Sequence, residues 1–206
     1  MAFEGWKGDF VGFFTGLELD NSKRYFEAHR KQYEQDVKGP LEELVRELDP
    51  DVGGTVKMFR LNRDIRFSPD KRPYKTNVAA VIGELYVHLD ARRLFIGTGS
   101  HAPDNTWLKR YRDAVASPAG GEFQRIVEQA RKDGCTVGGN RLKTAPKGYE
   151  PDHPRIELLR WREVVAGKTF PIERWIATPK AKDRILEAWR QIKPFSDWLV
   201  ENVGST

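Results

Sequence analysis

The sequence predicts an α+β fold: a single compact domain with a central, mainly antiparallel sheet, about residues 55–101, packed by N- and C-terminal helices. Three observations predict it. Apolar residues recur at helical spacing before residue 50 and again after residue 103. Between those stretches, from Thr55 to about His101, apolar and polar residues alternate with period two. No internal repeat, low-complexity tract or Ser/Gly linker interrupts the 206 residues, so one continuous domain over 1–206 is expected.

The first helix is expected from about Lys7 to Leu17, with Phe10, Phe13, Phe14 and Leu17 on one face. Asp20-Asn21-Ser22 supplies N-caps for a longer helix from Lys23 to about Val37, whose apolar row is Phe26, His29 (or Arg30), Tyr33 and Val37, with Tyr25 adjoining. Gly39-Pro40 breaks or kinks that helix, and Pro40 suits the first turn of a continuation through Leu41, Leu44, Val45 and Leu48. Asp49-Pro50-Asp51 and Gly53-Gly54 read as a turn. Val56 to Phe67 then reads as one strand, Val78 to Asp90 as a second with Ala79, Val81, Leu85, Val87 and Leu89 on one side, and Arg93 to Ser100 as a third after a hairpin turn at Asp90-Ala91-Arg92.

Helices return from Pro103-Asp104. Leu108, Tyr111 and Val115 line the first; Ser117-Pro118 caps the next, with Phe123, Ile126, Val127 and Ala130 inward and Gly134 as its stop. Arg141 to Pro154 reads as loop, and Ile156 to Val165 as a short amphipathic helix or strand. Thr178-Pro179 caps a helix from Lys180 to Ile192, lined by Ile185, Trp189 and Ile192; Pro194 interrupts it, and Phe195, Trp198 and Leu199 form a final turn or short helix. The six tryptophans fall mostly at helical core spacing and read as core.

Composition excludes several classes. A single cysteine, Cys135, rules out an internal disulfide framework and a multi-cysteine metal cluster. The longest nearly uncharged apolar stretch, Val78 to Val87, is too short to span a bilayer, and the first residues lack a basic start and apolar run, so no membrane association and a cytoplasmic location are expected. Net charge is +5, from 35 bases and 30 acids. Thr55 to Thr76 alone holds seven bases and two acids, which leaves 28 of each in the remainder: the whole excess sits in one segment.

If Met58 to Phe67 is a strand, Arg60, Asn62, Asp64 and Arg66 share one face, and Arg63 interrupts the opposite row of Phe59, Leu61, Ile65 and Phe67. A guanidinium on an apolar face needs a carboxylate, carbonyls or a bound anion, so Arg63 is open to a structural ion pair or to a ligand. The following Ser68-Pro69-Asp70-Lys71-Arg72-Pro73-Tyr74-Lys75-Thr76 is a loop stiffened by two prolines. Such a loop presents fixed donors at low ordering cost, with Tyr74 offering a ring face or a phenol and Asp64 and Asp70 able to orient the bases or exchange protons. Neither common nucleotide-binding glycine loop is present.

Phe59-Arg-Leu-Asn-Arg-Asp-Ile-Arg-Phe-Ser-Pro-Asp-Lys-Arg-Pro-Tyr-Lys-Thr76 resembles the signature of the domain-of-unknown-function 2461 family, found widely in bacteria. Leu19 to Tyr33 is similar to that family's opening helix, with Tyr25-Phe26 where the family has tryptophan-phenylalanine. Gly97-Thr-Gly-Ser-His-Ala-Pro103 with Leu108 and Arg112, and Leu142 to Tyr149 with Asp152-His-Pro154 and Leu158-Leu-Arg160, are similar to its later motifs. The resemblance covers nearly the whole chain. It implies a single compact α+β domain and carries no activity, cofactor or catalytic residue with it.

Other chemistry is thinner. Glu84, Tyr86, His88 and Asp90 share one face of the second strand and can meet Arg60 and Arg66 across a groove or merely balance cross-strand charge. His101 near Asp104 and His153 beside Asp152 can meet in space, although none of the four histidines has metal-ligand spacing and no metal is assigned. Lys143, Lys147 and Arg155 can form a second cationic rim. The leading expectation is a domain that binds an anionic small molecule, phosphorylated or carboxylated, through Arg60, Arg63, Asp64, Arg66, Asp70, Lys71, Tyr74 and Lys75, with Glu84, His88, His101 and Lys143 as secondary candidates; whether it is an enzyme is open, and no cofactor is implied. The alternatives are a nucleic-acid-binding module that uses the same segment, and a structural or interaction protein with an internal Arg–Asp network.

Overall fold

The computed structural model describes residues 2–204. Its helices are α1 (Phe10–Leu19), α2 (Lys23–Ala28), α3 (Arg30–Gln32), α4 (Gly39–Val52), α5 (Asn105–Ala116), α6 (Gly120–Lys132), α7 (Ile156–Leu159) and α8 (Lys180–Asn202), with a π-helical segment at Tyr33–Lys38 and a 3-10 turn at Arg174–Ala177. The strands are β1 (Val56–Met58), β2 (Asn77–Ile82), β3 (Leu85–Asp90), β4 (Arg93–Ser100), β5 (Thr136–Val137) and β6 (Val164–Pro171). They form a six-stranded antiparallel sheet in the order β1-β2-β3-β4-β6-β5, an α+β architecture as expected. The chain divides into two compact units, Met1–Ile96 with Thr169–Glu187 and Gly97–Lys168 with Ala188–Thr206.

In the first unit, α1 starts at Phe10 rather than Lys7 because the Asp9 carboxylate accepts the Gly12 N–H and caps it there. The expected Lys23–Val37 helix is broken at His29, whose backbone leaves the helical region and whose N–H is shared between the Tyr25 and Phe26 carbonyls. The next turn widens into the π-helical segment, where the Gly39 N–H reaches the Glu34 carbonyl. Gly39-Pro40 does not break the chain: α4 runs through Pro50, placed in its last turn, and stops at Gly53 with φ 73°. Leu41, Leu44, Val45 and Leu48 are buried, and α4 packs on β2.

Two strand expectations are corrected. The first strand ends at Met58, not Phe67; the Phe59 N–H still donates to the Ala79 carbonyl at 3.0 Å, and residues 60–76 leave the sheet and fold back on themselves. Pro69 and Pro73 cannot donate to a ladder, so the segment closes its own short one: the Arg63 N–H donates to the Pro73 carbonyl at 2.8 Å and the Lys75 N–H to the Leu61 carbonyl at 2.9 Å, with Asn62 opposite Tyr74. The second strand, expected over Val78–Asp90, is two strands joined by a two-residue turn at Gly83-Glu84. Gly83 has φ 53°, and a Cβ there would strike the Gly53 carbonyl oxygen, so only glycine fits. The turn reverses the pattern. Val78, Ala80 and Ile82 face Leu89, Val87 and Leu85 on the buried side, whereas Ala79 and Val81 share the other side with His88 and Tyr86.

In the second unit, the Asp104 carboxylate accepts the Trp107 N–H and opens α5. Arg155 closes α5, its guanidinium donating to the Val115, Ala116 and Ser117 carbonyls at 2.6, 3.0 and 3.0 Å. The stretch expected as one short element over Ile156–Val165 splits into α7 and the start of β6, which pairs with β5 (Thr136↔Gly167, Val137↔Ala166). Pro194 does not interrupt its helix: α8 continues to Asn202. An interior proline costs roughly 3 kcal/mol. Burial of Phe195, Trp198 and Leu199 beyond it, at roughly 1.5–3 kcal/mol per large side chain, outweighs that. All six tryptophans are buried, as expected of core.

Candidate functional site

The basic excursion has a tip and a root with different electrostatics. At the tip, Asp70 accepts from the Arg63 guanidinium, from Arg72 Nε at 3.0 Å and Nη2 at 2.7 Å, and from the Arg72 backbone N–H. Asp64 takes Arg66 Nε and Nη2 at 3.0 and 2.6 Å. Lys71 Nζ donates to the Ile65 carbonyl at 3.1 Å. The bonds from Arg72, then Arg63, hold the Asp70 carboxyl well below the usual carboxylate range, and Arg66 does the same more mildly for Asp64. Every cation of the tip thus has an acceptor. Arg63, read as either an ion-pair partner or a ligand contact, is in an ion pair within the loop. Phe67 stands in solvent, 94% exposed.

The root is anchored rather than neutralised. Tyr74 is only 7% exposed and stacks on Phe26 at 4.7 Å, which fills the ring face it was expected to offer. Its backbone is gripped by one side chain: Asn21 Oδ1 accepts the Tyr74 N–H at 2.9 Å, and Asn21 Nδ2 donates to the Tyr74 and Leu17 carbonyls at 3.2 and 3.1 Å. Of the expected caps Asp20, Asn21 and Ser22, Ser22 caps α2 and leaves the Asn21 side chain for this contact. No local pattern marks a contact 53 residues away.

Beside this anchor lie three cations with no carboxylate in ion-pair reach among the described residues: Lys57, Arg60 and Lys75. Lys57 and Lys75 place their ammonium groups 5.3 and 5.4 Å from the centre of the Phe59 ring. Burial, then the charge of Arg60, pulls the Lys75 ammonium below its ordinary pKa. Arg60 also lines a groove of about 530 Å³ with Lys23, Arg30, Lys38 and Tyr74, where Arg30 is paired to Glu27 and Lys38 to Glu34.

The outer face of the sheet continues from this cluster. Lys57 lies opposite Val81, and Val81 opposite Tyr86. The Tyr86 ring is 6.2 Å from both Phe59 and Phe95, and all three rings are half-buried. Along β3, Tyr86 Oη lies 3.4 Å from His88 Nδ1, and His88 Nε2 lies 3.0 Å from Asp90. Burial pushes the Asp90 carboxyl up, but bonds from His88, Arg92 and Arg93 together bring it below the usual range. The spacing of Tyr86, His88 and Asp90 was visible in sequence; their neighbour Lys57 carried no signal beyond its charge. Glu84, expected on the same face, sits exposed in the Gly83-Glu84 turn instead.

The remaining candidates lie apart from this cluster. His101 is exposed, with Nδ1 3.8 Å from Glu163, and His153 Nδ1 accepts the Arg155 N–H at 3.0 Å. No group of three or more His, Cys, Asp or Glu side chains gathers around a common point among the described residues. Lys143 is exposed, while Arg155, expected on a cationic rim, is committed to the end of α5. Burial pushes the Cys135 thiol up.

A family model described as a conserved hypothetical protein, DUF2461, matches residues 9–198. The chain belongs to the DUF2461 family. No curated protein matches it. Within the matched range, Arg112 Nε donates to the Leu159 carbonyl at 3.1 Å, Arg160 Nε to the Leu142 carbonyl at 2.8 Å, and the Tyr149 hydroxyl to Asp113 at 2.9 Å. Burial, then Asp113, pushes that phenol up to about 12. Among the described residues of this DUF2461 chain no helix is long and apolar enough to cross a membrane.

Proposed function

We propose that this domain binds a small anion, phosphorylated or carboxylated, at the root of the basic excursion. One observation carries the reading: Lys57 and Lys75 both place their ammonium groups by the Phe59 ring, neither has a carboxylate in ion-pair reach among the described residues, and Lys75 also feels the charge of Arg60. Bringing like charges together and partly burying one of them is unfavourable, and a bound anion relieves both penalties. The site differs from the sequence expectation in its centre of gravity. Arg60 and Lys75 keep their proposed role and Lys57 joins them, whereas Arg63, Arg66, Lys71 and Arg72 are engaged within the loop and support the ion-pair-network reading for the tip. The same self-pairing argues against a nucleic-acid track, which needs a run of free cations along the backbone.

Calorimetric titration with pyrophosphate and with citrate at low salt tests this. One saturable site is expected for at least one of them, weakened fivefold or more in Lys75→Gln and in Arg60→Gln, and unchanged in Arg66→Gln. Absence of saturable binding by either probe, or equal affinity in Lys75→Gln, sinks the proposal.

A further inference from the structure

We infer that the anion at this site is the phosphate of a single nucleoside phosphate, whose base lies on the outer sheet face against Tyr86 and Phe95; the inference rests on the anion-binding reading above. The cationic cluster does not stand alone. Lys57, Val81 and Tyr86 are successive neighbours across β1, β2 and β3, and Phe95 of β4 adjoins Tyr86 at 6.2 Å. Positive charge at one end, an aliphatic side chain in the middle and two half-exposed rings at the other end match a ligand with a charged head and a flat body. Aromatic side chains on an open sheet face supply that body with a stacking surface.

Hydrogen-bond capacity narrows the flat body further. Asp90 accepts from His88 Nε2, from the Arg92 and Arg93 backbone N–H groups and from Arg93 Nε. With Nε2 carrying the proton, His88 Nδ1 is the acceptor for the Tyr86 hydroxyl. The unspent capacity at the rings is therefore the lone pairs of Tyr86 Oη, which seek an N–H donor. Every nucleobase carries such a donor on its edge and a plain benzene ring does not. One nucleotide rather than a strand follows from the charge: the ammonium groups of Lys57 and Lys75 meet at a single ring, Phe59, and the tip beyond them is already self-paired.

The test is calorimetry on the full chain with pyrophosphate, ribose 5-phosphate, phenyl phosphate, the four common nucleoside 5′-monophosphates and a ten-nucleotide single-stranded DNA. At least one nucleotide is expected to bind tenfold or more tighter than both ribose 5-phosphate and phenyl phosphate. Tyr86→Phe should bring that nucleotide level with phenyl phosphate while both stay tighter than ribose 5-phosphate; Tyr86→Leu, with folding checked by circular dichroism, should level all three. If no nucleotide exceeds ribose 5-phosphate while pyrophosphate still binds, this inference is overturned and the anion site stands. If neither pyrophosphate nor any nucleotide binds, the anion site itself falls. A decanucleotide that binds more than tenfold tighter than every mononucleotide overturns the single-nucleotide assignment in favour of a strand.

Discussion

Asp70 takes bonds from two guanidiniums and one backbone N–H, and its exposure means that solvent screens much of their strength. The sign of its pH effect follows from its depressed pKa. The pairing stabilises the folded loop above the ordinary carboxylate pKa of 3.8 and is lost as pH falls below it towards the lower folded value. Carboxyl NMR titration is expected to find Asp70 still mostly ionised at about pH 3, where an ordinary aspartate is mostly protonated. An Asp70 midpoint at the ordinary value would show that the tip is not closed in solution. Lys75 illustrates the opposite case: burial, then the charge of Arg60, pulls its ammonium below its ordinary pKa.

Elements were legible where periodicity and caps agreed, and less so where one residue decided the matter. The row Phe10, Phe13, Phe14 and Leu17 located α1, and the Asp104 cap located α5. The Gly83-Glu84 turn escaped because the residues on both sides of it are apolar and alternate, so one strand and a hairpin give the same pattern until the backbone of Gly83 is known. Gly83→Ala is expected to lower stability by about 1–2 kcal/mol from the left-handed backbone alone, with more from the clash at Gly53, measured by urea denaturation. A neutral result would place the turn elsewhere. The π-helical segment and Pro194 were misread for a related reason: propensity rules describe isolated helices, and burial of Val37, Phe195 and Trp198 overrides them.

Over the whole molecule, charge was the most legible feature, because the entire net excess lies in one segment. Which of those cations are free was not legible, since that depends on loop closure bringing Asp70 to Arg63 and Asp64 to Arg66. With only a few free cations, affinity for pyrophosphate is expected to fall several-fold as salt rises from about 0.01 to 0.1 M, while the Debye length contracts from roughly 30 to 10 Å; isothermal titration at both strengths checks this, and a flat response would remove charge as the basis of binding. The grip of Asn21 on Tyr74 has a chemical corollary. A carboxamide can give and receive hydrogen bonds at once, whereas a carboxylate only receives. Hydrolysis of that one amide to an acid, as in Asn21→Asp, would set a negative charge against two carbonyl oxygens and unlatch the arm without cutting the chain. Faster amide hydrogen exchange at Lys75 and Arg63 would report the release; unchanged exchange would mean that the Phe26 stack alone suffices to hold it.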